Sequence, residues 1–461
     1  MSKDVRMLSA SGILGYGYPE ASLKAGLERK PHMIGVDGGS SDPGPHYLGS
    51  GKSFTSSLAI RRDMRLLLNG AVANGIPMVI GTCGGAGGEP HLQRCVEILR
   101  EIAREDRLSF KLAVIHSEQD KRYLKSRLAA GKIRPLGPAA ALDEATLDRA
   151  ARIVGMMGPE PYMRALDAGA QVILAGRSTD PAPWAALAMH LGIGPGPAWY
   201  AGKMLECACN AALPKSHDCL FATVRSDSVE CEPVNPALRC TPLSVAVQAL
   251  HENASPVLHR EPGGQLDTTD CDIRALSDRA TRITGMRWTP QTYTIKLEGA
   301  EQVGYSAITF AGTRDPGLVG TIDGFLDSVR ASLAIKVATF GVRPGDYRLV
   351  FRLYGKNGVM GDWEPQRKSA SHEIGILAEV VAPSQEIANA VVAVTRASLL
   401  HTDFAGRMCK EGNMAFPFSP SDIERGPIYQ FSLRHVVEPN DPYEMFPIEY
   451  EKIRGVHGQA S

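Results

Sequence analysis

Residues 33–54 read Met33-Ile-Gly-Val-Asp37-Gly-Gly-Ser-Ser-Asp42-Pro-Gly-Pro-His46-Tyr-Leu-Gly-Ser-Gly-Lys52-Ser-Phe54. A short apolar run, Met33 to Val36, ends at Asp37 and gives way to a loop dense in Gly, Ser and Pro. A buried strand that stops at a glycine-rich loop is how a ligand-binding edge of an open α/β sheet is written. The Ser41-Asp42-Pro43-Gly44 segment is echoed at Ser178-Thr179-Asp180-Pro181 and at Thr313-Arg314-Asp315-Pro316-Gly317. Asp before Pro spells a helix start, with Asp as N-cap and Pro at the first helical position. Each Asp is therefore expected to be a cap. The first copy gains interest from its neighbours, because Asp37, His46 and Lys52 share one short loop.

The same grammar recurs outward from this stretch. Pro77–Gly81 is a second apolar run and opens into Gly81-Thr-Cys-Gly-Gly-Ala-Gly-Gly-Glu-Pro-His91. Phe110–Ile115 is a third and ends at His116, and Gln171–Ala175 is a fourth, ending in Gly176-Arg177-Ser178. Helical spacing of Leu, Ile and Ala occupies 53–74, 91–105 and 184–191, and a long helical region is expected over 117–154, broken by Pro-Leu-Gly-Pro at 135–138 and restarting at Asp143–Glu144. Strand, glycine loop and helix in repetition predict an α/β fold: an N-terminal, mostly parallel sheet with helices on both faces, over residues 1–214. From 215 the texture turns to alternating strands (292–297, 306–310, 347–354, 374–381) and helices at 243–252, 320–337 and 384–400. This predicts a smaller α+β domain over 215–461, with a subdivision near 340. Residues 455–461 read as a frayed end.

Composition narrows the function. The 461 residues carry 50 basic and 50 acidic side chains, so no general attraction to nucleic acid or an anionic membrane is expected. No stretch approaches the roughly 20 apolar residues of a membrane span. The nine cysteines are scattered and form no Cys-x-x-Cys pair, which disfavours structural zinc and fits a reducing, cytoplasmic setting.

The strand-end loops supply the candidate chemistry. Gly38, Gly39, Ser40, Gly84 and Gly85 are expected to bring backbone amides up to an anionic ligand. Cys83, just past a strand and ahead of a helix, is a candidate nucleophile if its thiol pKa is lowered there; a buried, inert thiol is the plainer reading. Glu89, His91 and His46 are candidate acid–base groups with Asp37 beside them, and His116 falls in the corresponding loop. A divalent metal is compatible with such residues, but no metal-ligand spacing is present and proton transfer is favoured. Arg177 and Ser178 are placed to hold a carboxylate or phosphate, with a salt bridge to a neighbouring helix the equal alternative for Arg177. Lys296 and Glu298 share one face of a strand and either pair or reach into a cleft together. Glu261–Asp267 and the polar-aromatic loop Glu411–Asp422 also stand out.

Several of these segments together are specific. Cys231-Glu-Pro233, His259-Arg-Glu-Pro-Gly-Gly-Gln-Leu-Asp267, Tyr293-Thr-Ile-Lys-Leu-Glu-Gly-Ala-Glu-Gln-Val-Gly-Tyr305 and Gly312-Thr-Arg-Asp-Pro316, with the glycine loops before them, resemble the acyclic terpene utilisation (AtuA-like) family. The resemblance implies a cytoplasmic catabolic protein concerned with branched carboxylic acids or their coenzyme A thioesters. It brings no assignment of catalytic residues. The leading expectation is a lyase or hydratase acting by general acid–base chemistry on a small branched carboxylate or its coenzyme A thioester. The alternatives are a Cys83-dependent hydrolase or acyl transferase, and a non-catalytic acyl-CoA- or carboxylate-binding subunit of a partner enzyme. The balanced charge and apolar helices are compatible with a homo-oligomer.

Overall fold

The computed structural model describes residues 4–366, 371–408 and 413–455. The chain forms two compact units, Met1–Glu301 with Phe431–Ser461, and Gln302–Gln430. The first is built on a parallel core of five strands: β1 (Val5–Ser9), β2 (Met33–Asp37), β3 (Met78–Gly81), β4 (Phe110–Ile115) and β5 (Val172–Ala175). Their order is β1-β2-β3-β5-β4. Successive side chains point to opposite faces of a strand, so both faces must be apolar for both to be covered. Met7, Met33, Val79, Ala113 and Ile173 join one apolar cluster, with the helices Ala182–His190 and Pro195–Leu205. Their neighbours Leu8, Ile34, Ile80, Leu112 and Leu174 join the other, with Ser57–Asn74 and Glu89–Glu105. Helices therefore cover both faces, as the repeated pattern predicts.

The sheet does not stop at residue 214. Leu220–Val224 pairs antiparallel with β1, followed by Ser228–Pro233, Thr281–Thr284 and Asp272–Ala275, while Ile448–Ile453 pairs antiparallel with β4. The boundary expected at 214/215 thus falls inside one compact unit, because later strands complete the edges of the first sheet. The parallel arrangement holds for the core, and the flanks are antiparallel.

The second unit has its own sheet. Ile374–Ala382 pairs antiparallel with Tyr305–Thr313 and with Arg348–Tyr354, and it buries every second side chain. Ile322–Ala338 and Gln385–His401 cover it through Val329, Leu333, Val391 and Leu399. The strand partnership of 347–354 with 374–381 and the helices at 320–337 and 384–400 are all close to their expected places.

Three local expectations fail for identifiable reasons. The helical region over 117–154 keeps its expected restart, a helix Glu144–Arg149 capped by Asp143, but is otherwise a helix Lys121–Ala129 with strands at Ile133–Pro135 and Ala150–Met156. The last pairs with Lys296–Glu301, a partner some 150 residues away that outweighs local propensity. Asp42 is not a cap, since it lies in a turn and the helix Pro45–Ser50 begins after Gly44, whose φ is 122°. Asp180 is not a cap either, because its carboxylate is taken by Arg177 and the helix begins at Ala182 behind Pro181. Asp315 does cap, accepting from Leu318 N–H. Glu411 and Gly412 of the polar-aromatic loop, and the end at 456–461, lie outside the described residues. Among the described residues, no helix is long and apolar enough to cross a membrane.

Candidate functional site

The strand-end loops meet at one edge of the sheet, but they meet each other. Gly38 N–H donates to Gly81 O at 2.7 Å, Thr82 N–H to Gly176 O and Cys83 N–H to Ala175 O, both at 2.9 Å. A Cβ on Gly38 would collide with the carbonyls of Gly81 and Thr82, and one on Gly87, whose φ is +67°, would collide with Arg177 N. Gly39 faces Gly85, Gly85 faces Phe54, and Gly84 faces His91 in the same way. All of Gly81–Gly88 is buried. Gly38 and Gly39 thus lie against the backbone of the neighbouring loop, and Gly84 and Gly85, both at positive φ, against the side chains of His91 and Phe54. Ser40 is spent locally, its Oγ accepting from Asp42 N–H at 3.2 Å.

The predicted acid–base residues disperse. His91 is buried, and its Nε2–H is directed at the carbonyls of Tyr47 (3.1 Å) and Lys52 (3.0 Å), which pins the 47–52 segment to the helix start. Burial pushes its pKa down, keeping it neutral. Glu89 instead meets His116, Oε2 to Nδ1 at 2.9 Å. His46 is half-buried and packs edge-on to Tyr47, with ring centroids 5.5 Å apart. Cys83 is fully buried, and burial pushes its thiol pKa well up, opposite to what a nucleophile at a helix start needs. Ser178 is buried in packing and accepts from Tyr162 OH at 2.9 Å. Among the described residues, no three His, Cys, Asp or Glu side chains gather as a metal-holding group.

The cavity lies beside this knot of loops, in the first unit. It encloses about 840 Å³ and takes its wall from Thr179–Pro181 after β5, Lys203 and Glu206 at the end of Pro195–Leu205, and Arg260–Pro262. Gln291–Thr292, Thr294 and Lys296 close the opposite side with Arg134–Gly137. Of the predicted residues, Lys296 lines this cavity; His46, Cys83, Glu89 and His91 do not. Glu261 was marked out by its segment but not as a site residue. Lys203 and Glu206 were missed. Their signal is a charged i, i+3 pair ending a helix otherwise buried along its whole length.

The cavity's charges are unusual for their acids. Lys203 Nζ sits 2.6 Å from Glu206 Oε1, with side chains only 9% and 3% exposed. Burial pushes Glu206 up to about 8 against the pull of Lys203. For Lys203, burial acts downward but is outweighed by Glu206, and the ammonium is held above its usual range. Glu261 accepts from Thr179 Oγ1 at 2.6 Å, and burial still pushes it up to about 7. Asp180 is likewise raised by burial, opposed by Arg177. Asp37 is buried behind these groups and raised well above its usual range by burial and by Asp180, with Gly39 N–H donating to it at 3.1 Å.

Glu298 behaves in the opposite sense. Burial would raise it, but Arg177 Nε at 2.9 Å and Lys296 Nζ at 2.7 Å hold it down to about 2. Ser41 Oγ adds a third donor at 2.9 Å. Arg177 is thus paired with two carboxylates from within, which accords with the salt-bridged alternative for this residue.

Fold and cavity together define an α/β protein with a polar, small-molecule-sized pocket beside the carboxyl edge of a parallel core. Residues 52–218 match the family model described as Acyclic terpene utilisation family protein AtuA, to which that segment is similar. The matched segment contains Arg177, Thr179, Asp180, Lys203 and Glu206; Glu261, Lys296 and the Arg314–Pro316 motif lie beyond it. Neither curated proteins nor solved structures gave a match to the chain.

Proposed function

We propose that the chain is a catabolic enzyme, a lyase or hydratase, that moves a proton on a small branched carboxylate or its coenzyme A thioester. The AtuA family description supports the catabolic setting. The reaction class rests on one observation: two carboxyl groups, Glu261 at about 7 and Glu206 at about 8, share a cavity with Lys203. A carboxyl group poised near operating pH gives and takes protons at comparable cost, which is the requirement of general acid–base catalysis. In this reading Glu261 exchanges the proton, Glu206 and Lys203 supply positive charge and a second proton to a developing enolate or oxyanion, and Lys296 receives the substrate carboxylate. The cavity volume falls in the range that holds a small ligand. Thiol catalysis finds less support, since Cys83 is buried and its thiolate disfavoured.

The test is turnover by the purified chain in D2O. Branched enoyl- and 3-hydroxyacyl-CoA thioesters, and their free acids, would be followed by NMR for hydration, dehydration and deuterium uptake. Glu261→Gln and Glu206→Gln should each lower the rate by about 100-fold or more, with His46→Ala and Glu89→Gln near wild type. Undiminished turnover in both glutamine variants sinks the assignment, and turnover by the chain alone removes the binding-subunit alternative.

A further inference from the structure

We infer that Arg177 is a positioning residue, which sets two side chains of the cavity wall from behind: Asp180 directly, and Lys296 through Glu298. The geometry carries this. Arg177 is buried with its side chain 3% exposed, and its guanidinium divides between two carboxylates. Nη1 meets Asp180 Oδ1 at 2.9 Å and Ser178 O at 2.8 Å, while Nε meets Glu298 Oε2 at 2.9 Å. Glu298, 7% exposed, passes its other oxygen, Oε1, to Lys296 Nζ at 2.7 Å. Lys296 reaches the cavity at this end of the chain as Asp180 does at the other, with its side chain about a third exposed (35%).

A planar guanidinium fixes the directions of its partners, where a lysine would fix only a distance. The backbone gives it a rigid seat. Arg177 N–H donates to Ser117 Oγ at 2.6 Å, and Gly87 presses against Arg177 so closely that no side chain fits there. Ser41 Oγ at 2.9 Å holds Glu298 from the remaining side. The loop after β5 and the strand carrying Lys296 are thereby joined by a chain of ion pairs, to which the loop after β2 adds a hydrogen bond from Ser41. This explains why the Ser41-Asp42-Pro43 and Ser178-Thr179-Asp180 echoes contribute side chains to one network although neither Asp acts as a cap.

The inference rests on the cavity being the functional site but not on the reaction proposed for it, so its test uses no substrate. Lysine acetylation by isotopically coded acetic anhydride at pH 7.5, read by peptide mass spectrometry, reports each ammonium separately on the full-length protein. In the wild type, Lys296 should react at least tenfold more slowly than exposed Lys24. In Glu298→Gln and Arg177→Gln, labelling of Lys296 should rise about tenfold, with Lys203 on the other wall unchanged. Arg177→Lys, which restores charge but not direction, should fall between. Glu298→Gln is isosteric and carries the test where Arg177→Gln does not fold. Unchanged Lys296 labelling in folded variants overturns the inference, and so does a parallel rise at Lys203, which would mark general loosening.

Discussion

Thr179 Oγ1 donates to Glu261 Oε2 at 2.6 Å, joining the loop after the last parallel strand to a hairpin more than eighty residues later in the chain. This bond favours the charged carboxylate and opposes the burial that raises Glu261. Thr179→Val removes the donor at nearly constant volume. The Glu261 titration should therefore move further up from about 7, as read from the carboxyl 13C shift. A downward move would contradict the arrangement.

Stability should fall as pH rises through neutrality. Glu206 and Glu261 have folded values near 8 and 7 against an ordinary 4.5, so the folded state binds their protons more tightly. Their contribution is complete below about 4.5 and disappears as pH climbs through 7 and 8. Glu298, held at about 2, acts oppositely: its contribution is present above 4.5 and is lost as pH falls through 2. Thermal melts from pH 5 to 8.5 should show Tm declining, and the Glu206→Gln/Glu261→Gln double variant should flatten that slope.

The Lys203–Glu206 pair should behave as a unit. Lys203→Met leaves the buried Glu206 carboxyl without its hydrogen-bond partner, and the loss expected for a buried polar group left unsatisfied is about 1–3 kcal/mol. Removing both charges in Lys203→Met/Glu206→Leu should cost less than the sum of the single changes. Urea denaturation of the four proteins provides the cycle, and strict additivity would show that the 2.6 Å contact is not energetically coupled.

Glycine should matter most where loops collide. Gly87→Ala must push Arg177 out of its seat at a backbone angle that alanine resists, so a loss of about 3 kcal/mol is expected. Gly169 has a similar angle, φ +75°, but open space around it, so Gly169→Ala should cost only about 1 kcal/mol. Equal losses in denaturant titrations would remove close packing as the reason for the glycine.

Those glycines also mark where sequence reasoning stopped short. Met33–Val36, Pro77–Gly81 and Gln171–Ala175 were legible as buried strands because both of their faces are covered, which leaves continuous apolar runs. The loops after them were legible as converging. Their glycines were not legible as packing residues, since a small residue reads the same whether a ligand or another backbone comes close. Lys296 with Glu298 was readable from two-residue spacing on a strand, whereas Glu261 stood only within a conspicuous segment and carried no sign of a site role. Lys203 and Glu206 belong to no motif, and burial alone distinguishes them from a surface pair. The cavity itself draws on 134–137, 179–206, 260–264 and 291–296, and no local pattern announces that these segments meet.

In the proposed function, burial in this cavity lets the Glu206 and Glu261 carboxyl groups hold protons near neutral pH. The most direct test is a pH titration of protein labelled with 13C at the glutamate side-chain carboxyl, assigned with Glu261→Gln and Glu206→Gln. Two resonances should titrate at about 7 and about 8 and vanish in the respective variants. If both instead titrate at the ordinary value of 4.5, the cavity has no proton to give at neutral pH and the account fails.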